Sequence, residues 1–324
     1  MSDLYAFYDL ALSPATFDLA NFLVLAEVAR SKGSYDCIRL LLVPDVSGQI
    51  KADRLHEEQA IKGRLRTILL PLIRLMPTCS TVQVLSCRDE LNQYGEIFSQ
   101  KNVFPTGYTP DLPASFYSWQ AVWDASTNNA DIQTMRAPSY ICDKVDLWGC
   151  RNKIDFSRVV TLTLRESTYQ LARNSSLLDW INFADYLTKK GYIPIFIRDY
   201  EKLGCEAKSD FPAHFIVCSQ ASKDLLFRIA LYEKSFLNYF VNNGPWVVAL
   251  FNKFIAHIGL KIITEEHFVT STLYRINCGD PIGHNYCFLK PWQKVIWKDD
   301  SFVNLVSSFE NYNDSVKQDF LLTN

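Results

Sequence analysis

Short apolar runs alternate with helix-forming segments along this chain, and that alternation restricts the fold more than any other feature. Most of the runs are continuously apolar, which is typical of strands covered on both faces of a parallel sheet. Strands and helices at this spacing predict an α/β fold. The predicted strands lie at residues 4–8, 37–44, 82–86, 159–164, 193–198, 215–218 and 236–241.

Helices are predicted in the stretches that separate these strands. Ser13 and Pro14 form a typical helix start, and Gly33 is a typical helix end. Pro71 is expected to kink or divide a long helix that precedes the third strand. The predicted helices lie at residues 13–33, 53–75, 88–98, 177–190, 222–233, from 244 onward, and 300–312.

The 324-residue length favours two domains. We expect two doubly wound halves, at residues 1–150 and 151–290, and a C-terminal segment with a helix, 291–324, that packs back on the body. Residues 114–150 are aromatic and irregular, and their pattern predicts no particular element.

Composition excludes several classes of protein. The chain has 33 Lys and Arg against 35 Asp and Glu, so it lacks the basic excess of a dedicated nucleic-acid binder. Nine Cys without a CxxC motif suit a reducing cytoplasm better than a disulfide scaffold. We expect no signal peptide and no membrane span, and hence a cytoplasmic protein. Peripheral association with the inner membrane stays open, because 14% of the residues are aromatic.

Polar clusters follow the predicted strands of the second half. In open α/β sheets, ligands bind beyond the carboxyl ends of the strands, so these clusters are expected to face one crevice. The residues expected to bind the ligand are Arg165, Glu166, Arg173 and Asn174 after the first of these strands, Arg198 after the second, Ser219 after the third, and Asn242, Asn243, Gly244 and Pro245 after the fourth.

Two arginines and a helix start give this crevice the chemistry of a diphosphate site. The guanidinium groups of Arg165 and Arg198 can each form a fork on phosphate oxygens. The helix that begins at Gly244 offers free backbone N–H groups to an anion. The structural alternative is that Arg165 and Arg198 pair with the adjacent acids, Glu166 and Asp199.

Two carboxylates in the first half could act as a general base. Asp9 follows the first strand, and Asp18 lies in the first turn of the next helix. The alternative for Asp18 is a helix N-terminal charge without a catalytic role. His56 and His284 are rival bases. The histidines form no helical zinc motif, and neither GxGxxG nor a P-loop sequence occurs, so no metal or cofactor is expected. The absence of GxSxG excludes the usual serine-hydrolase elbow.

The second half resembles the nucleotide-sugar domain of GT-B glycosyltransferases, including heptosyltransferase-like and fucosyltransferase-like groups. It also resembles glycosyltransferase-like proteins of bacterial surface-polysaccharide and lipopolysaccharide synthesis. Three segments carry this resemblance: 163–166 with 173–175 and Trp180, 197–199, and 239–245. The sequence departs from the fucosyltransferase pattern at its first strand end, which reads Leu-Arg-Glu-Ser.

The resemblance implies two Rossmann-like domains facing across a cleft, with a nucleotide-sugar donor on the second and a glycan or lipid-linked glycan acceptor on the first. It implies metal-independent transfer of a sugar to an acceptor hydroxyl, with Arg165 and Arg198 on the donor phosphates. We expect Asp9 or Asp18 to act as the base in such a transfer. Two alternatives stay open on the same fold: a non-catalytic binding or assembly protein of polysaccharide synthesis, and a sugar-nucleotide epimerase.

Overall fold

The computed structural model of the chain describes residues 2–45, 63–98, 100–199, 202 and 210–323. The chain divides into two compact units, Met1–Pro138 and Ser139–Asn324. The division lies before residue 150 because the helix Ser139–Asn152 packs on a helix of the second unit, Leu225–Lys234. The C-terminal segment 291–324 also belongs to the second unit.

The described part of the first unit contains a four-stranded parallel sheet. Its strands are β1 (Leu4–Asp9), β2 (Ile38–Val43), β3 (Cys79–Val84) and β4 (Val103–Phe104), in the spatial order β3-β2-β1-β4. Leu4 pairs with Ile38 and Asp9 with Val43, so the carboxyl ends of β1 and β2 lie side by side. The continuous apolar strand residues are buried, as the sequence pattern predicts.

The helices of the first unit begin with α1 (Asp18–Lys32), which is buried along most of its length. It starts later than the predicted residue 13, because residues 11–17 form turns. The predicted helix 53–75 is described only from residue 63, as a π-helical turn at Leu65–Leu69 followed by a short α-helix. The remaining elements are α2 (Leu70–Arg74), a 3₁₀ helix (Arg88–Tyr94), α3 (Gly95–Phe98) and α4 (Trp119–Thr127).

The described part of the second unit contains a six-stranded parallel sheet in the order β10-β9-β8-β5-β6-β7. The chain runs outward from β5 through β6 to β7, then returns to β8 and runs the other way to β10. This is the doubly wound order of a Rossmann-like domain, and its switch point lies between β5 and β8. The strands are β5 (Val159–Thr163), β6 (Ile193–Ile197), β7 (Ile216–Val217), β8 (Leu237–Val241), β9 (His257–Leu260) and β10 (Gln293–Val295).

Helices cover this sheet through apolar faces. Trp180, Phe183 and Leu187 recur at helical spacing and are fully buried. Leu305 and Phe309 of the C-terminal helix pack into the same core. The helices are α5 (Ser139–Asn152), α6 (Leu177–Lys189), α7 (Ser219–Lys223), α8 (Leu225–Lys234), α9 (Gly244–Leu250), α10 (Thr272–Asn277) and α11 (Phe302–Thr323).

Several elements differ from the sequence prediction. The expected helix 222–233 is two helices, because the Asp224 side chain accepts a hydrogen bond from Phe227 N and starts α8 anew. The aromatic stretch 114–150 contains two helices that the sequence pattern did not indicate. The other elements that were not predicted are β4, β9, β10 and α10.

Candidate functional site

The topology of the second unit points to one location for a ligand. The switch point of a doubly wound sheet leaves a crevice beyond the carboxyl ends of its two central strands. Here those strands are β5 and β8, which are followed by Arg165 and by Asn242. The residues singled out by sequence after these two strands therefore do lie at the edge where such folds bind ligands.

Arg165 holds the loop that follows β5. Its guanidinium donates to the backbone oxygens of Tyr169 and Gln170, at 2.6 and 3.0 Å, and to the side-chain oxygen of Asn174. The Arg165 backbone N–H in turn donates to the Ser175 hydroxyl at 3.0 Å. Only 8% of Arg165 is exposed. These contacts fix the loop 165–175. They use guanidinium N–H groups of Arg165 that were predicted to bind a phosphate.

Arg173 lies at the switch point itself. Its Nη2 donates to Asn242 O at 3.0 Å, which connects the β5 loop to the end of β8, and its Nη1 donates to Gln170 Oε1. Its Nε is buried and has no partner among the described residues. Burial, followed by the charges of Arg165 and Arg275, lowers the pKa of Arg173 to about 10. A partly buried cation whose partners among the described residues are neutral oxygens favours an anionic ligand.

Arg198 has the arrangement expected of a structural ion pair. It is 2% exposed, and its guanidinium forms a fork on the Glu166 carboxylate, with Nε at 2.9 Å from Oε2. Asp210 adds a second carboxylate at 2.8 Å. Glu166 N also donates to Asp199. Acids therefore occupy the Arg198 fork and loop oxygens occupy donors of Arg165, so Arg173 is the better placed arginine for a phosphate.

The N-terminus of α9 is capped by the side chain of Asn243. Asn243 Oδ1 accepts a hydrogen bond from Trp246 N at 3.1 Å, so this side chain takes one of the free N–H groups of the helix. Asn242 donates from its side chain to Ile262 O at 3.1 Å. Gly244 and Pro245 are the first two residues of α9. This seven-residue helix lies beside the switch point but offers a weaker anion site than the sequence suggested.

The two other predicted residues have different surroundings. Asn174 is part of the loop network, since its Oδ1 accepts from Arg165 and from Ser167 N. Ser219 begins α7 after β7, the outermost strand on that side of the described sheet. Asn174 therefore lies near the switch point, whereas Ser219 lies away from it.

Two cations near this edge were missed by the sequence analysis. Lys261 directly follows β9, and its Nζ donates to Asn174 O at 2.6 Å and pairs with Asp300 at 3.1 Å. Arg275 lies on α10 and pairs with Asp280 at 3.1 Å. The strand-end rule would have found Lys261 if β9 had been recognised, whereas no sequence signal marks Arg275.

In the first unit, the Asp9 carboxylate is fully occupied. Arg88 forms a fork on it with distances of 2.9 and 2.7 Å, the Tyr108 hydroxyl donates to Oδ2 at 2.8 Å, and Ala11 N donates to Oδ1 at 3.0 Å. Asp9 is also completely buried. A carboxylate in this arrangement fastens β1 to the segments after β3 and β4 and has no lone pair directed at a substrate.

Asp18 has the surroundings of a titrating group. It is half-buried at the first residue of α1 and accepts a hydrogen bond from Thr16 Oγ1 at 2.6 Å. Burial raises the pKa of Asp18, and its charge contributes to raising the pKa of Tyr8 and of Tyr117. A raised carboxyl pKa favours general-base or general-acid chemistry, so the geometry favours Asp18 over Asp9.

The rival bases contribute little to either site. His56 lies outside the described residues. His284 is exposed in a turn, where its backbone oxygen accepts a hydrogen bond from Trp297 Nε1 at 2.8 Å.

Within the described ranges, no group of three or more His, Cys, Asp or Glu side chains is placed to hold a metal ion. None of the described helices is long and apolar enough to cross a bilayer.

The chain matches no family model and no curated protein. Solved structures do match it over almost their full length. A glycosyl transferase family 9 protein from Veillonella parvula DSM 2008 is 11% identical, with a TM-score of 0.58 over 96% of this chain and 97% of that one. ADP-heptose LPS heptosyltransferase II from E. coli is 10% identical, with a TM-score of 0.51 over 98% and 99%. The α/β fold of GT-B type expected from the sequence resemblance is thereby confirmed.

Proposed function

We propose that this chain is a glycosyltransferase that transfers a sugar from a nucleotide-activated donor to a hydroxyl of a glycan acceptor, without a metal ion. The observation that carries the proposal is Arg173, a partly buried cation at the switch point whose hydrogen-bond partners are neutral and whose buried Nε has no partner among the described residues. The fold shared with two glycosyltransferases supports the same reading.

The donor diphosphate suits the charges at this edge. A nucleoside diphosphate leaves the sugar with negative charge growing on its phosphate oxygen, and preorganised cations lower the energy of that transition state. Arg173 is already in place, held by Asn242 O and Gln170 Oε1, so little reorganisation is needed when the anion binds. Lys261 donates to the same loop through Asn174 O, and its charge is paired with Asp300.

The base in this proposal is Asp18. The acceptor hydroxyl oxygen forms a bond to the anomeric carbon of the donor as the bond from that carbon to the diphosphate oxygen breaks. Asp18 takes the hydroxyl proton, and the nucleoside diphosphate leaves with the electron pair. This single displacement inverts the anomeric configuration. The raised pKa of Asp18 suits proton transfer better than that of an ordinary exposed carboxylate.

The proposed partners are therefore a nucleotide-sugar and a glycan, free or lipid-linked. The proposed location is the cytoplasm, with peripheral association at the inner membrane if the acceptor is lipid-linked. Two other functions fit the same fold and are outcomes of the test: a non-catalytic binding protein and a sugar-nucleotide epimerase.

Thermal unfolding with and without UDP, GDP, ADP and CMP tests the donor site. A ligand at one hundred times its dissociation constant adds about 2.7 kcal/mol of stability. The proposal predicts that one nucleoside diphosphate stabilises the protein, that its sugar derivative is consumed when acceptor glycans are supplied, and that EDTA leaves turnover unchanged. An absence of stabilisation by every nucleotide would refute the donor site.

Two further results separate the other functions. Binding of a nucleotide without consumption of any nucleotide-sugar, across a panel of acceptors, identifies a binding protein. Conversion of a nucleotide-sugar to its epimer without an acceptor identifies the epimerase. Arg151→Gln is the matched control, because Arg151 lies exposed in the last turn of α5 and its substitution should leave binding unchanged.

A further inference from the structure

Arg275 is a second partly buried arginine, and its charge interacts with that of Arg173 at the switch point. It lies on α10, its side chain is 12% exposed, and its Nη1 pairs with Asp280 Oδ2 at 3.1 Å. The Asp280 side chain is completely buried. The sequence analysis assigned no role to Arg275, and α10 was not among the predicted helices.

The guanidinium of Arg275 shares two properties with that of Arg173. In both residues Nε is buried and lacks a partner among the described residues. Their charges are also close enough to interact, since Arg275 contributes to lowering the pKa of Arg173. Two interacting guanidinium groups of like charge, each with a buried Nε donor, therefore have more N–H groups than the described residues satisfy.

A purely structural role would make Arg275 the counter-ion of Asp280. That role accounts for one hydrogen bond from Nη1, whereas an arginine that serves a single carboxylate commonly forms a fork on it with two donors. Arg198 illustrates that arrangement in the same unit, with Nε and Nη2 both on Glu166. The contact of Arg275 with Asp280 leaves its Nε available for another acceptor.

We propose that Arg275 binds the second phosphate group of the donor, so that Arg173 and Arg275 together select a diphosphate over a single phosphate. This inference rests on the proposed function, because it places the ligand at the same switch point. It adds a residue to that site and a reason for selectivity: a ligand with one phosphate reaches one guanidinium, and a ligand with two reaches both.

Calorimetric titration with inorganic pyrophosphate and with inorganic phosphate tests the inference without knowledge of the nucleotide. Ionic strength is held constant, because screening changes both affinities. Wild-type protein should bind pyrophosphate more tightly than phosphate. Arg275→Gln should weaken pyrophosphate binding by about 10- to 100-fold, as expected for a lost hydrogen bond to a charged group. Its phosphate affinity should stay within twofold.

A double variant controls for folding. Arg275→Gln alone removes the cation that pairs with the buried Asp280 carboxylate, so Arg275→Gln with Asp280→Asn should show the same loss of pyrophosphate affinity without that buried negative charge. Circular dichroism confirms that both variants fold, and Arg151→Gln should bind as the wild type does.

The outcomes separate this inference from the proposed function. The role of Arg275 is overturned if the folded double variant binds pyrophosphate within twofold of the wild type. It is also overturned if the variant loses affinity for phosphate and for pyrophosphate to the same extent. If Arg173→Gln alone weakens binding, the donor site stands and only Arg275 is excluded. A wild-type protein that binds neither pyrophosphate nor any nucleotide overturns both proposals.

Discussion

The substitution Arg173→Gln should make the ligand-free protein more stable while it removes the donor site. Burial of the charged form lowers the pKa of Arg173 from its ordinary value to about 10. At about 1.4 kcal/mol for a difference of one in pKa, holding the charge in the folded state costs about 3 kcal/mol. The folded state binds this proton less tightly than the unfolded state. The cost is therefore fully present at neutral pH and is lost only as pH rises from about 10 to 12.5.

The substitution also removes the hydrogen bonds of Arg173 to Gln170 and Asn242, which contribute about 1 kcal/mol each. The glutamine amide can restore one of them, so the expected net gain in the free energy of unfolding is about 1–2 kcal/mol. For a unit of the size of Ser139–Asn324 this corresponds to an increase in Tm of about 2–8 °C.

Calorimetry and urea unfolding measure the effect with and without the nucleoside diphosphate that binds best. Without ligand the Arg173→Gln variant should be the more stable protein. With ligand at one hundred times its dissociation constant the wild type gains about 2.7 kcal/mol and should overtake it. Arg151→Gln should follow the wild type under both conditions. A ligand-free variant that is less stable than the wild type would show that Arg173 serves the fold, and the reasoning from its unpaired charge would be refuted.

Three further substitutions test the remaining assignments. Asp18→Asn should lower kcat in a transfer assay by about 10²- to 10⁴-fold, because it removes the proposed base. It should leave donor affinity within twofold, because it removes no phosphate contact. An unchanged kcat excludes Asp18 as the base. Asp9→Asn should lower the free energy of unfolding by about 3–5 kcal/mol in urea, because it breaks a buried pair with Arg88; a smaller loss with a strongly reduced kcat would return Asp9 to the reaction. Burial lowers the pKa of His257 to about 4 from 6.5, so stability should fall by about 3 kcal/mol as pH decreases through that range. His257→Gln should abolish that pH dependence, and a slope that persists would assign it to other groups.

The sequence predicts β5 and β8 because continuous apolar runs mark buried parallel strands, whereas the strand order that makes them a switch point comes from the structure. Once β5 and β8 were recognised, their following residues could be placed at one edge, and Arg165 and Asn242 do lie there. β9 escaped recognition because it is four residues long and contains His257 and Gly259, which weaken a strand pattern. Trp246 packs so closely there that a Cβ on Gly259 would lie 2.5 Å from its ring.

The roles of the arginines could not be predicted from their positions. Arg165 and Arg198 each follow an apolar strand, and both suggested a phosphate fork. In the folded chain the fork of Arg198 is filled by Glu166 and by Asp210, a residue twelve positions further along the chain. Such a pairing depends on the path of the chain after the strand, which local pattern does not specify. Asp9 and Arg88 are a longer-range case of the same kind.

The most informative arginine is the one that the fold stabilises least. Arg198 has carboxylate partners, so the fold alone explains its burial. Arg173 is partly buried, its partners among the described residues are neutral oxygens, and two other arginines act on its charge, an arrangement that lowers the stability of the ligand-free protein. A site that is destabilised until an anion binds is the arrangement expected where function opposes stability. Positive charge at that edge alone does not indicate a phosphate ligand. Arg173 indicates one because no carboxylate among the described residues pairs with its charge.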